Sequence, residues 1–151
     1  MTLILAMDQE ERCGGWNVWQ IITLNSPRMV LTPLRMEWNE FAADGVLMVT
    51  LSGEIDLQHS PKMRLLLQAK VRGRVPLLLL DFTNVKYIDS SGLATLVEYY
   101  QNSRSYSGRI ALAGLSNRVK SIFELVRLSE IFPIYSTVEE AKQELRQPAA
   151  L

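Results

Sequence analysis

From residue 37 onward, apolar positions recur with periods that switch between two and about three and a half. Their order predicts strand, strand, helix, strand, helix, strand, helix, strand, helix. Residues 37–42 and 46–51 read as a hairpin joined by Ala43-Asp44-Gly45, where glycine supplies the positive φ of a tight turn. In the second strand Val46, Met48 and Thr50 face one way and Leu47, Val49 and Leu51 the other, so either both faces are covered or the N-terminal tail shields one. Ser60-Pro61 predicts a helix start with the hydroxyl as cap and proline in the first helical position. Met63, Leu66, Leu67 and Lys70 then hold the helical spacing as far as Gly73.

Residues 77–82, apolar except for Asp81, read as a central buried strand. Leu93, Leu96, Val97 and Tyr100 outline the buried face of the next helix, followed by Gly108. Residues 110–115 form another buried strand, and Ser116 caps a helix whose inner face is Val119, Ile122, Phe123 and Val126. Residues 131–135 are expected at a sheet edge, because Pro133 has no N–H to give to a ladder. Thr137-Val138-Glu139-Glu140 is a capping box for a last helix ending at Arg146. Strands alternating with helices imply an α/β fold with a mixed sheet and a hairpin at one edge.

Residues 1–35 show neither period, and they mix Gly14-Gly15, Pro27 and Pro33 with Trp16 and Trp19. The domain is therefore expected at 36–151. Two readings of the preceding stretch stay open: a short, partly helical or disordered tail, or translation upstream of a biological start at Met36.

The 151 residues suffice for one domain of ordinary size, and 16 Lys and Arg balance 16 Asp and Glu. A chain with no net positive charge is a poor ligand for a phosphate backbone, so nucleic acid is not an expected partner. One cysteine, Cys13, and one histidine, His59, make neither an internal disulfide nor a zinc cage. The longest apolar stretches, such as Val75 to Leu80, are six residues, far below the roughly 20 that span a bilayer, so no membrane insertion is expected. The apolar run Leu3 to Met7 lacks a preceding basic region and meets Asp8, Glu10 and Glu11, unlike a secretory signal; a cytoplasmic location is the expectation.

Two segments could carry chemistry. Asp89-Ser90-Ser91-Gly92 lies where a short loop after the buried strand enters a helix. Free N–H groups and the helix dipole favour an anion there, such as the phosphate of a phosphoserine. The plainer alternative makes Asp89 or Ser90 simply the helix cap. At the end of the second strand Glu54 and Asp56 would share one side if the strand continued. Such a pair could act as acid and base, hold a metal, or merely end the strand in solvent. Ser90 and Ser91 lack an evident activating base, His59 reads as an ordinary surface residue, and Arg118, Lys120 and Arg127 read as a solvated basic edge. No nucleotide-cradling glycine motif is present, and no cofactor is expected.

Gly53-Glu54-Ile55-Asp56, the apolar strand ending in Asp81, and Tyr87-Ile88-Asp89-Ser90-Ser91-Gly92-Leu93 together resemble the STAS domain of bacterial anti-sigma-factor antagonists. The stretch from Leu115-Ser116-Asn117-Arg118-Val119 to Phe123 resembles the third helix of that family. The resemblance implies a STAS-type mixed sheet of about five strands with about four helices. It also implies a partner switch. In such proteins the unphosphorylated form binds an anti-sigma factor that is itself a serine kinase, freeing sigma. Phosphorylation of the serine after the aspartate, here Ser90, with Ser91 as the alternative, ends the binding, and a PP2C-type phosphatase reverses it. Glu54, Asp56, Asp89, Ser90, Ser91 and Gly92 would form the docking surface, with Asp89 placing Ser90 and Gly92 letting another backbone come close. On this reading Ser90 is a substrate and the protein is no enzyme. STAS domains also serve as cytoplasmic accessory subunits of lipid-transporting ABC systems, which is the alternative reading.

Overall fold

The computed structural model describes residues 36–148, and the expectations for residues 1–35 lie outside the described residues. β1 (Glu37–Ala43) and β2 (Val46–Ile55) pair antiparallel. Asp44 and Gly45 between them take φ of 56° and 80°, the left-handed pair that a two-residue hairpin turn requires. The chain continues through α1 (Ser60–Arg72), β3 (Leu77–Ile88), α2 (Ser90–Ser103), β4 (Arg109–Ala113), α3 (Asn117–Leu125), β5 (Ile134–Tyr135) and α4 (Val138–Arg146). The five strands stand in the order β1-β2-β3-β4-β5, and every pair after the first is parallel. This is the expected α/β architecture, with the hairpin at one edge and β5 at the other.

The two-residue strand period decides which helix covers which face. Val49, Leu51, Leu78, Leu80, Phe82, Ile110 and Leu112 enter one core with Met63 and Leu67 of α1, Leu96 and Tyr99 of α2, and Val119 and Phe123 of α3. The alternate residues Val46, Leu79, Ala111 and Ala113 meet Ala141 and Leu145 of α4 on the other face. Alanines at three of these positions let α4 lie close to the sheet. Arg109 fastens it: the guanidinium donates to the carbonyls of Leu145 (3.0 Å), Gln147 (2.6 Å) and Glu144 (3.3 Å), groups that a helix end leaves unpaired. Both faces of β2 are thus occupied.

Element lengths depart from expectation where regular pairing is interrupted. β2 runs to Ile55, and β3 continues to Ile88 where a loop is expected after Phe82. Thr50 lies opposite Asp81 but Ser52 opposite Asn84, and Gly53 lies opposite Val85 but Glu54 opposite Tyr87. At each step β3 carries one extra residue, so pairing survives through a polar stretch in which simple alternation has failed. At α1 the N-cap is His59, not Ser60, and Ser60 is buried in the first turn with no capping bond. On α2 the fully buried tyrosine is Tyr99, while Val97 and Tyr100 are half-buried, because the helix packs on α1 as well as on the sheet. Val126 follows the end of α3 and is exposed; β4 stops at Ala113, and β5 is confined to Ile134–Tyr135. Ser116 and Thr137 cap α3 and α4 by accepting from the N–H groups of Val119 (3.3 Å) and Glu140 (3.2 Å).

Candidate functional site

The bulged pairing brings the ends of β2 and β3 level. Ile55 lies opposite Ile88, both fully buried, and the Asp89 N–H donates to the Ile55 carbonyl at 3.0 Å. Asp56 and Asp89 therefore emerge side by side at the carboxyl edge of the parallel strands, the edge at which open α/β sheets place their sites.

Asp89 is the N-cap of α2, in extended conformation with φ −105° and ψ −176°. Its Oδ1 accepts from the N–H of Ser91 (2.9 Å), the N–H of Gly92 (3.2 Å) and the Ser91 hydroxyl. Partial burial works against its charge, but these hydrogen bonds outweigh it and hold the carboxyl below its ordinary range. The two serines consequently differ. Ser91 is half-buried with its hydroxyl engaged by Asp89, whereas Ser90 is exposed and its hydroxyl has no hydrogen-bond partner among the described residues.

Gly92 is buried. A Cβ there would lie 2.6 Å from Ile55 Cγ2 and 2.8 Å from Ile88 Cγ1. The close approach that the sequence reading gives to a partner's backbone is made by the chain's own strand ends. Gly92 shapes the site from beneath.

The acidic pair is also divided. With β2 ended at Ile55, the Asp56 carboxylate folds back, and its Oδ1 accepts from the N–H groups of Gln58 (3.0 Å) and His59 (3.0 Å) and lies 2.7 Å from His59 Nδ1. It does not extend along a continuing strand with Glu54, which is half-buried opposite Tyr87 and has no ion pair among the described residues. His59, only 17% exposed and held by Asp56, is not an ordinary surface residue. The described residues contain no group of three or more His, Cys, Asp or Glu that could hold a metal ion, and none of their helices is long and apolar enough to cross a membrane.

Two contributors escape the sequence reading. Leu57, in the connection that follows Asp56, is 76% exposed although aliphatic. The signal for it is an apolar residue between two turn formers, Asp56 and Gln58. Arg118, read as part of a solvated edge, places its guanidinium 5.2 Å from the centre of the Tyr87 ring, two residues before Asp89. That stacking fixes a cation at the same edge of the sheet.

Residues 41–141 match the family model described as the STAS domain. The chain is 34% identical over 86 residues to the anti-sigma-B factor antagonist of Listeria monocytogenes, a match covering 57% of this chain and 75% of that one. It is 30% identical over 102 residues to the anti-sigma F factor antagonist of Paenibacillus polymyxa, covering 67% and 87%. Among solved structures, an anti-sigma factor antagonist from Mycobacterium paratuberculosis superposes with a TM-score of 0.71 at 26% identity, over 78% of this chain and all of that one. With its fold and two-thirds of its sequence accounted for in this way, the chain belongs to the STAS domain family.

Proposed function

We propose that the protein is an anti-sigma factor antagonist working as a partner switch. The unphosphorylated form binds an anti-sigma factor that is also an ATP-dependent serine kinase, and this releases the sigma factor. The kinase transfers the γ-phosphoryl group of ATP to the Ser90 oxygen, ADP leaves, and the hydroxyl proton passes to a base of the kinase. A PP2C-type phosphatase hydrolyses the phosphoserine and restores binding. The chain itself is a substrate, with no catalytic residue of its own.

The observation that carries this reading is the contrast at the start of α2. Ser90 offers an exposed, unengaged hydroxyl, while the adjacent Ser91 hydroxyl is committed to Asp89. The names of the relatives from Listeria and Paenibacillus support the antagonist role. Phosphate on Ser90 adds close to two negative charges beside the ionised Asp89, with Asp56 and Glu54 at the adjoining strand end. In a desolvated contact that charge repels a partner suited to the acidic rim, and the fold need not change because a helix start accommodates phosphate.

The test uses Ser90→Ala and Ser90→Asp proteins as baits in the native host, together with ATP labelling of the wild type. The expected result is Ser90 phosphorylation, retention of a kinase by the alanine form, and loss of it by the aspartate form. Labelling at another residue refutes the assignment. Membrane transporter subunits held equally by both forms would make this an accessory subunit of a transport system.

A further inference from the structure

We propose, independently of the switch above, that the protein forms a two-fold homodimer through the free edge of β1, with Phe41 of one copy facing Phe41 of the other. β1 ends the sheet, and its seven residues pair with β2 from Glu37 opposite Ser52 to Ala43 opposite Val46 without a register shift. The two-residue turn makes Ala43 and Val46 the closing hydrogen-bonded pair, so Ala43, Phe41, Asn39 and Glu37 direct their N–H and C=O groups at β2. The backbone groups of Trp38, Glu40 and Ala42 therefore point away from the sheet, and among the described residues no backbone hydrogen bond outside the ladder takes them up. Soluble proteins blunt such an edge with proline, lysine or a bulge. β1 has none of these; of its two glutamates, Glu40 is held by Lys70 at 2.6 Å, and Phe41 is 62% exposed.

An open strand edge takes another strand, and the side chains of β1 select a second copy of β1. Residues opposite each other in an antiparallel pair share a face, so β1 meets its copy only in registers that set odd positions opposite odd and even opposite even. A two-fold at Glu40 sets Glu40 against its own copy, and one at Ala42 sets Glu40 against Asp44; both oppose like charges. A two-fold at Asn39 sets Phe41 against Glu37. A two-fold at Phe41 sets Phe41 against Phe41, Glu40 against Ala42 and Asn39 against Ala43, an aromatic pair flanked by large residues opposite small ones. Phe41 also lies opposite Met48, and Met48 opposite Leu79, on the sheet face that carries α4. Pairing at Phe41 joins this row to its copy in one apolar strip. Because the outward backbone groups belong to the even positions, the two Phe41 residues form a non-hydrogen-bonded pair with Cα atoms about 4.5 Å apart.

The experiment is analytical ultracentrifugation of the full chain from about 1 μM to about 1 mM, joined to disulfide trapping with oxidised glutathione in a Cys13→Ser background that removes the native cysteine. The wild type is expected to pass from monomer to dimer within that range. Phe41→Lys sets two ammonium groups opposite each other and is expected to weaken the dimer at least about tenfold, whereas Phe41→Tyr, which keeps the aromatic pair, stays within about threefold. The dilute monomers should melt alike, since Phe41 is exposed. Phe41→Cys is expected to give a covalent dimer, because facing Cα atoms about 4.5 Å apart are within disulfide reach. Asn39→Cys, on the same face but displaced from its own copy by about 13 Å along the strands, is expected to give none. A wild type that stays monomeric throughout overturns the proposal, and protection of the Trp38, Glu40 and Ala42 amides from hydrogen exchange in that monomer would assign the edge to another occupant. A dimer that Phe41→Lys leaves intact, or that Asn39→Cys traps and Phe41→Cys does not, overturns it as well.

Discussion

Two strand-to-helix junctions lie next to each other at the carboxyl edge of the sheet, and both begin with Ile-Asp. Ile55-Asp56 leads to α1, and Ile88-Asp89 leads to α2. At the first, the aspartate precedes the helix by a short turn; Asp56 organises that turn, and the first helical residue, Ser60, is buried. At the second, the aspartate is itself the cap, so the first helical residue, Ser90, stands outward with a free hydroxyl among the described residues. Spacing between strand end and helix start, and not residue type, decides which serine is hidden and which is presented. The two junctions also depend on each other. The Asp89 N–H is bound to the Ile55 carbonyl, so the end of β2 positions the cap of α2.

The strongest way to break this arrangement is to remove the floor the junctions share. Ile55→Ala and Ile88→Ala each empty a fully buried position and are expected to destabilise the domain by about 2 to 5 kcal/mol. Urea denaturation should show similar losses for both. A much smaller loss at one would mean that the strand ends are not mutually supporting.

A smaller effect is expected from Gly92→Ala. The added methyl would sit 2.6 Å from Ile55 Cγ2 and 3.2 Å from the Ile55 carbonyl oxygen, and the backbone oxygen cannot move cheaply. Overpacking of this kind costs about 1 to 3 kcal/mol. The expected outcome is a lowered Tm with lower affinity for the kinase, because α2 must lift away from the strand ends. An unchanged Tm would return Gly92 to the docking surface that the sequence alone suggests.

The parts of this comparison that were legible in the sequence are those governed by regular period or by local chemistry. Element order, the hairpin turn at Asp44-Gly45, the caps Ser116 and Thr137 and the two-sided burial of β2 all follow from short-range pattern. The extension of β3 to Ile88 is hidden because two bulges shift the alternation, leaving Phe82, Val85 and Ile88 three apart on the inner side. Tyr99 and Tyr100 are neighbours of one type, and only the position of α1 against α2 selects the first for burial. Within the site, the motif located Asp89 and both serines, but the division of labour between Ser90 and Ser91 needs the carboxylate's direction. The bond from the Asp89 N–H to the Ile55 carbonyl joins residues far apart in sequence, which no local pattern encodes.

The finest test addresses the charge on Asp89. Partial burial works against the charge of this carboxyl, but the hydrogen bonds from Ser91 and Gly92 outweigh it and hold the group below the ordinary value of 3.8. A group depressed in the folded state contributes stability that is fully present above its unfolded pKa and is lost as pH falls through the folded pKa. Asp89→Asn keeps an oxygen acceptor but removes the charge, and its expected cost near neutral pH is about 1 kcal/mol, in the range of a helix cap. Below the ordinary value of 3.8 the wild type loses the same contribution, so the two unfolding curves should converge. Asp44, lowered by its hydrogen bond to Lys142, gives an acid slope of the same sign in both proteins, and subtraction removes it. Urea midpoints at about pH 6 and about pH 3 suffice to measure the difference. A gap between wild type and variant that stayed constant across that range would show that Asp89 caps α2 through shape alone. In that case the charge of the carboxylate would have no part in holding the start of α2.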